Sequence, residues 1–366
     1  MRFIVDKNKL TEALDITAGV VAKKAVNPVL QNISIKTREE GGIEISATDL
    51  EISVIIDLDA EVIEKGEMVV LNSLIRDIVK SVDEKTFEFV EESAGKIYLK
   101  AGSFKAEVHS LSKDDFPHIN IEELNTAPSF FIQGSTLREM LEKNIPFAAK
   151  DDLRYTFNSV YFEKENLELK TVSSDTKRLS LAKTFIDEGI ADFTMLVPVK
   201  TARIIKDILG DQELEIKILN KKTGFVYGNI TLISNQIEGK FPDYKMVIPK
   251  ETHYNILLPK EIFASKIRSI APFLSGEVLK VVLSFQNKKL TLYAEETEIG
   301  RGEASMEVDY EGDTLDIALN YRFLTDILNA VDKGDIMIKI WEPEKPIVFI
   351  EKDNDRFIFV TVPMKK

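Results

Sequence analysis

The chain has 366 residues, too long for one ordinary domain when about 150 residues per domain is the norm. Hydrophobic residues make up 44% and charged residues 30%, the balance of a globular protein with real cores, which excludes disorder, collagen and a simple coiled coil. Zero cysteines remove disulfides, thiol catalysis and thiolate metal sites, and three isolated histidines (His109, His118, His253) leave little imidazole chemistry. The net charge of -13 argues on its face against nucleic acid, although a total does not say where charge sits. No run of 18 apolar residues occurs and the start MRFIVDKNKL does not read as a secretory signal, so a cytoplasmic protein with no membrane partner is expected.

In chain order, Phe3-Ile4-Val5 alternates as a strand and leads into an amphipathic helix with Leu10, Ala13, Leu14, Thr17 and Val21 on one face. Phe130-Phe131-Ile132 opens a second such helix with Leu137, Met140, Leu141, Ile145 and Ala148. Tyr254-Asn255-Ile256 opens a third with Ile262, Phe263, Ile267 and Ile270. The starts lie 127 and about 125 residues apart. A second strand-then-helix element recurs in the same register from Met68, Met195 and Ile317, with Asn72, Pro198 and Asn320 as start signals. Between the two helices of each copy stand alternating strands around a polar turn, from Ile43, Leu167 and Leu290. A period this long makes the repeating unit a whole domain. The expected division is 1–125, 126–250 and 251–366, each unit α+β with two helices and about eight short, mainly antiparallel strands.

The helices concentrate positive charge. Windows 7–24, 72–82, 134–150, 198–210, 259–271 and 320–333 hold 17 Lys and Arg against 9 Asp and Glu, a net of +8 in a chain of net -13. Arg76 and Lys80 share a helix face, as do Lys200, Arg203 and Lys206. Helix-borne cations without aromatic stacking platforms suit duplex backbone, bound without sequence preference.

Short motifs then give a resemblance over all 366 residues. Pro28-Val29-Leu30-Gln31-Asn32, Ala47-Thr48-Asp49-Leu50-Glu51, Ser174-Asp175-Thr176-Lys177-Arg178-Leu179, Gly239-Lys240-Phe241-Pro242-Asp243-Tyr244 and the ending Val362-Pro363-Met364-Lys365 resemble the bacterial DNA sliding clamp, the beta subunit of DNA polymerase III. The resemblance implies three clamp domains, a head-to-tail homodimer closed as a ring around duplex DNA, a processivity role with no catalytic site, and no cofactor or metal. Twelve helices spaced at roughly 10 Å, each with a radius of about 5 Å, leave an opening of roughly 28 Å. Lining candidates are Lys23, Lys24, Arg76, Lys80, Arg138, Lys150, Arg154, Lys200, Arg203, Lys206 and Arg268.

The resemblance also implies a cleft for short apolar peptides of the replicative polymerase, the clamp loader and repair proteins. Motif by motif it falls on Arg154, Phe157, Ser174, Thr176, Lys177, Arg178, Leu179, Pro242, Val247, Pro346, Ile347, Val360, Val362, Pro363 and Met364. Phe104, Ala106 and Val108, with Ile270 and Phe273, are the implied dimer contacts. The chain departs from the family in Thr176-Lys177, where Gly-His often precedes the Arg, and in Lys245 and Met246, Val362 and Lys365. Two other readings stay open from the residues alone. One is a carboxylate-based hydrolase or transferase, for which Asp151-Asp152 and Glu295-Glu296 read better as solvated turns and no phosphate-binding or nucleophile motif is present. The other is a three-domain adaptor that binds no DNA.

Overall fold

A computed structural model describes every residue except 23, 25, 94, 187–188, 275–278, 295–299, 333 and 366. Lys23, Lys333 and the Glu295-Glu296 pair thus lie outside the described residues. The first repeat carries β1 (Arg2–Asp6), β2 (Asn32–Thr37), β3 (Ile43–Thr48), β4 (Ile52–Leu58), β5 (Ala60–Glu64), β6 (Glu67–Leu71), β7 (Thr86–Ser93), β8 (Lys96–Ala101) and β9 (Phe104–His109). Its helices are α1 (Lys7–Val20) and α2 (Asn72–Ser81). The second carries β10 (Ser129–Gln133), β11 (Ser159–Glu165), β12 (Glu168–Ser174), β13 (Arg178–Phe185), β14 (Phe193–Pro198), β15 (Glu213–Ile218), β16 (Lys222–Tyr227) and β17 (Ile230–Asn235), with α3 (Gly134–Asn144) and α4 (Val199–Ile208). The third carries β18 (Tyr254–Pro259), β19 (Lys280–Gln286), β20 (Lys289–Ala294), β21 (Glu303–Glu307), β22 (Leu315–Asn320), β23 (Asp335–Ile340), β24 (Ile347–Glu351) and β25 (Asn354–Thr361), with α5 (Lys260–Ile270) and α6 (Tyr321–Ala330).

Two compact units emerge, Met1–Arg138 with Lys200–Gln236, and Glu139–Val199 with Ile237–Lys366. The first holds an eight-stranded antiparallel sheet ordered β10-β15-β16-β17-β4-β3-β2-β6, and the second one ordered β18-β23-β24-β25-β13-β12-β11-β14. Replace each strand of the first by its repeat and the second order results. Each sheet is therefore two half-sheets from successive repeats, joined by β17 against β4 (Leu232 opposite Val54) or β25 against β13 (Val360 opposite Leu179). The first unit also contains a sheet ordered β5-β1-β7-β8-β9, and the second a four-stranded one ordered β21-β20-β19-β22.

Helix α1 starts where Asp6 caps it, its carboxylate accepting from the Asn8 and Lys9 amides at 2.9 and 3.1 Å, and buries Leu10, Ala13, Leu14, Thr17 and Val20. Asn320 caps α6 in the same way, accepting from the Arg322 amide at 2.9 Å. Asn72 does something else. It is the first residue of α2, is buried, and donates from Nδ2 to the Thr17 hydroxyl at 3.0 Å, so it ties α2 to α1 instead of capping. Ile262, expected on the apolar face of α5, is 49% exposed, because Phe263, Ala264 and Ile267 already fill that face.

The turns after β3 and β12 match in detail. Asp49 accepts from the Glu51 and Ile52 amides at 3.0 and 2.7 Å, and Asp175 from those of Lys177 and Arg178 at 3.0 and 2.9 Å. The residue between stands in the left-handed region in both, Leu50 at φ 77° and Thr176 at φ 71°. An Asp that bridges its own turn holds a conformation that glycine would otherwise supply.

Candidate nucleic-acid interface and peptide pocket

Within the first unit α1 stands beside α2 and α4. Gly19 of α1 faces Ile204 of α4, where a Cβ would stand in ordinary van der Waals contact with the Ile204 side chain at 3.4 Å. In the second unit the end of α3 reaches the end of α6, where Lys143 donates to the Ala330 carbonyl at 2.8 Å. Some of the helical charge is consumed internally. Lys7 donates to the Val82 carbonyl beyond α2 at 2.6 Å, and its repeat Lys260 to the Val331 carbonyl beyond α6 at 2.7 Å. Lys143 is buried with Asp332 at 2.9 Å. These three lysines satisfy carbonyls at helix ends, where cations also complement the dipole.

Among the expected lining residues Lys24, Lys80, Arg138, Lys150, Arg154, Lys200, Arg203 and Arg268 are exposed, and Arg76 and Lys206 half-exposed. Several are ion-paired. Arg76 and Lys80 meet on Asp15 at 2.5 and 2.6 Å, Lys200 meets Asp49 at 2.5 Å, Lys206 meets Asp207 at 3.0 Å and Arg154 meets Asp152 at 3.0 Å. Partial burial works to raise the Asp15 carboxyl, but the hydrogen bonds from Lys80 and Arg76 outweigh it and hold it below the usual carboxylate range. The Asp152 carboxyl is likewise lowered, chiefly by the side-chain hydrogen bond from Arg154.

The second unit contains an apolar pocket of about 210 Å³. It brings together Phe157, Ser174, Thr176, Lys177, Arg178, Leu179, Pro242, Val247, Pro346, Val360 and Val362, eleven of the fifteen expected cleft residues. Phe241, Asp243 and Tyr244 line it as well, absent from the expected set although the Phe-Pro-Asp-Tyr run that carries them was among the sequence's most distinctive motifs. Buried Phe157, Leu179, Phe241, Tyr244 and Val360 make the floor, whereas Val247 and Val362 stand at the rim, 43% and 42% exposed. Tyr161 stacks on Phe241 at 4.9 Å between centroids, and Phe157 meets it edge-on at 5.9 Å. Tyr244 donates to Glu163 at 2.5 Å; burial first, then that hydrogen bond, pushes its hydroxyl well above the ordinary phenol value.

Arg154, Ile347, Pro363 and Met364 are not among the lining residues. Ile347 is fully buried in β24 opposite Thr361. The tail is pinned instead of free, with the Val362 amide on the Lys177 carbonyl at 2.9 Å and the Met364 amide on the Ala318 carbonyl at 2.8 Å. Arg154 lies over the Phe157 ring at 4.8 Å while paired to Asp152. Arg178, read as a cleft residue, is first of all a clasp. Its guanidinium holds Asp175 at 2.9 Å, Asp326 and the Pro146 carbonyl at 2.9 Å, and lies over Phe147 and Phe323.

Phe104 and Ala106 are half-buried on β9, where Val108 turns into the core and Lys105, Glu107 and His109 face solvent. Of the other implied contacts, Ile270 is only 1% exposed, because it completes the apolar face of α5, so its side chain does not reach the surface. Phe273 packs over Gly302, where any Cβ would strike its ring. Among the described residues no group of three or more His, Asp or Glu is placed to hold a metal ion, and no helix is long and apolar enough to cross a membrane.

Six helices arranged on repeated antiparallel half-sheets define a three-domain DNA-clamp fold. Family models for the DNA polymerase III beta subunit match in order, the N-terminal domain over residues 1–120, the central domain over 132–243 and the C-terminal domain over 245–365. The chain belongs to the DNA polymerase III beta subunit family. It is 28% identical over 369 residues to a beta sliding clamp of Chlamydia pneumoniae, covering 100% of this chain and 99% of the relative. To that of Rickettsia bellii it is 26% identical over 387 residues, with both chains fully covered. The crystal structure of the DNA polymerase III subunit beta from Pseudomonas aeruginosa superposes with a TM-score of 0.93 at 25% identity over 100% of each chain.

Proposed function

We propose that this protein is a DNA sliding clamp: two copies close head to tail into a ring around duplex DNA and tether the replicative polymerase and other replication and repair proteins, without catalysis of their own. The observation that carries the reading is the unfinished sheets. Each full sheet joins the last strand of one repeat (β17, β25) to the fourth strand of the repeat before it (β4, β13), and β9 and β21 are the repeats of those joining strands. Both end their sheets, each paired on one side only among the described residues. β9 of one copy set against β21 of another would make a third sheet of the same order, with β5 added beyond β1, and hide both edges. Two such joints between two copies close the assembly.

The three clamp domains are taken as 1–125, 126–250 and 251–366. Phe104 and Ala106 then belong to the joint through β9, and the exposed cations of the helices face the DNA. Their lining is diffuse and partly paired, which suits a duplex that must slide. The peptide pocket is assigned to the apolar anchor of a partner's short motif, its floor buried and largely aromatic and its rim exposed. A tether of this kind raises processivity through effective concentration alone. The test is retention on closed circular DNA compared with linear DNA of the same length.

A further inference from the structure

Three of the cations that the clamp reading turns toward DNA, Arg76, Lys80 and Lys200, are held by carboxylates from other segments of the fold. Asp15 on α1 takes both Arg76 and Lys80 of α2, although nothing in their own helix supplies a partner. Lys200 of α4 reaches Asp49 in the turn after β3 and also the Val20 carbonyl at 3.1 Å. Asp15 also lines a groove of about 600 Å³ between α1 and α4, together with Glu12 and Asp207. A helix face meant only to attract phosphate would not carry three carboxylates in its groove, nor draw two cations onto one of them.

We infer that Asp15 is a tethered competitor for DNA phosphate. The inference rests on the clamp reading and concerns how the lining behaves once DNA is inside. A free Lys or Arg that meets a phosphate releases about 0.9 condensed counterion and gains accordingly. Arg76 and Lys80 start from a bond to Asp15, so an arriving phosphate displaces a carboxylate, and the net gain per contact is small. As the phosphate departs, Asp15 takes the cations back, so no step of the duplex leaves an unpaired charge behind. The lining stays positive in sum yet weak at the contacts that Arg76 and Lys80 make.

The test compares full-length variants by fluorescence anisotropy on a short linear duplex across a salt series. Asp15→Asn removes the competing charge and keeps the side-chain shape. Glu12→Gln makes the same change of net charge in the same groove, and Glu12 is exposed with no ion pair among the described residues. The expected result is that Asp15→Asn tightens binding roughly 3- to 10-fold and steepens the salt slope by about 1 to 2, with Glu12→Gln well below it. Adding Arg76→Gln and Lys80→Gln to Asp15→Asn should cancel the gain. Equal effects of Asp15→Asn and Glu12→Gln overturn the competitor role. If in that case Arg76→Gln with Lys80→Gln still weakens binding in the otherwise unaltered protein, the clamp reading stands without it. If neither cation matters in either background, the placement of α2 against DNA fails too.

Discussion

Arg178→Ala should damage both the stability of the second unit and the pocket. The side chain is only 11% exposed and satisfies three oxygen partners, Asp175, Asp326 and the Pro146 carbonyl, while lying 5.2 Å over Phe147 and 4.7 Å over Phe323. Truncating one partner of a buried pair typically costs about 3–5 kcal/mol. Asp326 is 38% exposed and water recovers part of that loss. The two aromatic contacts restore about 0.5–1 kcal/mol each to the sum, and a loss of about 2–4 kcal/mol results. Asp175 would then bridge its turn without the guanidinium, loosening Thr176 and Lys177 at the pocket rim, so binding of a Leu- or Phe-containing peptide should weaken with the loss of stability. Arg178→Lys keeps the charge but not the planar fork and should fall between. Thermal unfolding of the full chain and peptide titration measure the two effects. A stability loss under about 1 kcal/mol with unchanged peptide affinity would show that Arg178 is not the clasp described.

Val362→Asp, at an exposed rim position, should leave stability nearly unchanged and weaken an apolar peptide by about tenfold or more, read by calorimetric titration. Ala106→Glu on β9 should place a charge in the joint and lower the solution mass from twice to once 41.4 kDa in analytical ultracentrifugation. Tyr244→Phe should lose about 1 kcal/mol near neutral pH through the missing bond to Glu163. Because folding raises the Tyr244 hydroxyl, its stabilisation is complete below the ordinary phenol value of about 10 and declines as pH rises beyond it. The gap between wild type and Tyr244→Phe should therefore stay constant up to about pH 9 and narrow only as pH rises past about 10, as melting temperatures would show.

The repeats were legible because they are periodic and local. The apolar faces of α1 and α3 follow from spacing alone, with Leu10, Ala13 and Leu14 and then Leu137, Met140 and Leu141 all buried. Asn72 misled because an Asn ahead of an apolar run reads as a cap, and only the packing of α2 against α1 gives it Thr17 as partner. Ile262 misled for a related reason: on α5 both Ile262 and Ile270 look apolar, and only the packing beneath decides that Ile270 is covered and Ile262 is not. The joining of half-sheets from successive repeats was out of reach, since β17 pairs with a strand far back in the chain. The same holds for charge. Arg76 lies 61 residues and Lys80 65 residues from Asp15, and Lys200 is 151 residues from Asp49, so helix-by-helix counting saw free cations where the fold supplies partners. The pocket floor was within reach, because Phe241 and Tyr244 stood inside a motif already singled out.

Topological capture is the most direct measurement. Protein loaded onto nicked circular duplex should remain bound through gel filtration in salt high enough to abolish binding to linear fragments, and cutting the circle once should release it. Equal loss from circles and linear molecules, or persistence after the cut, would mean that no closed passage surrounds the DNA.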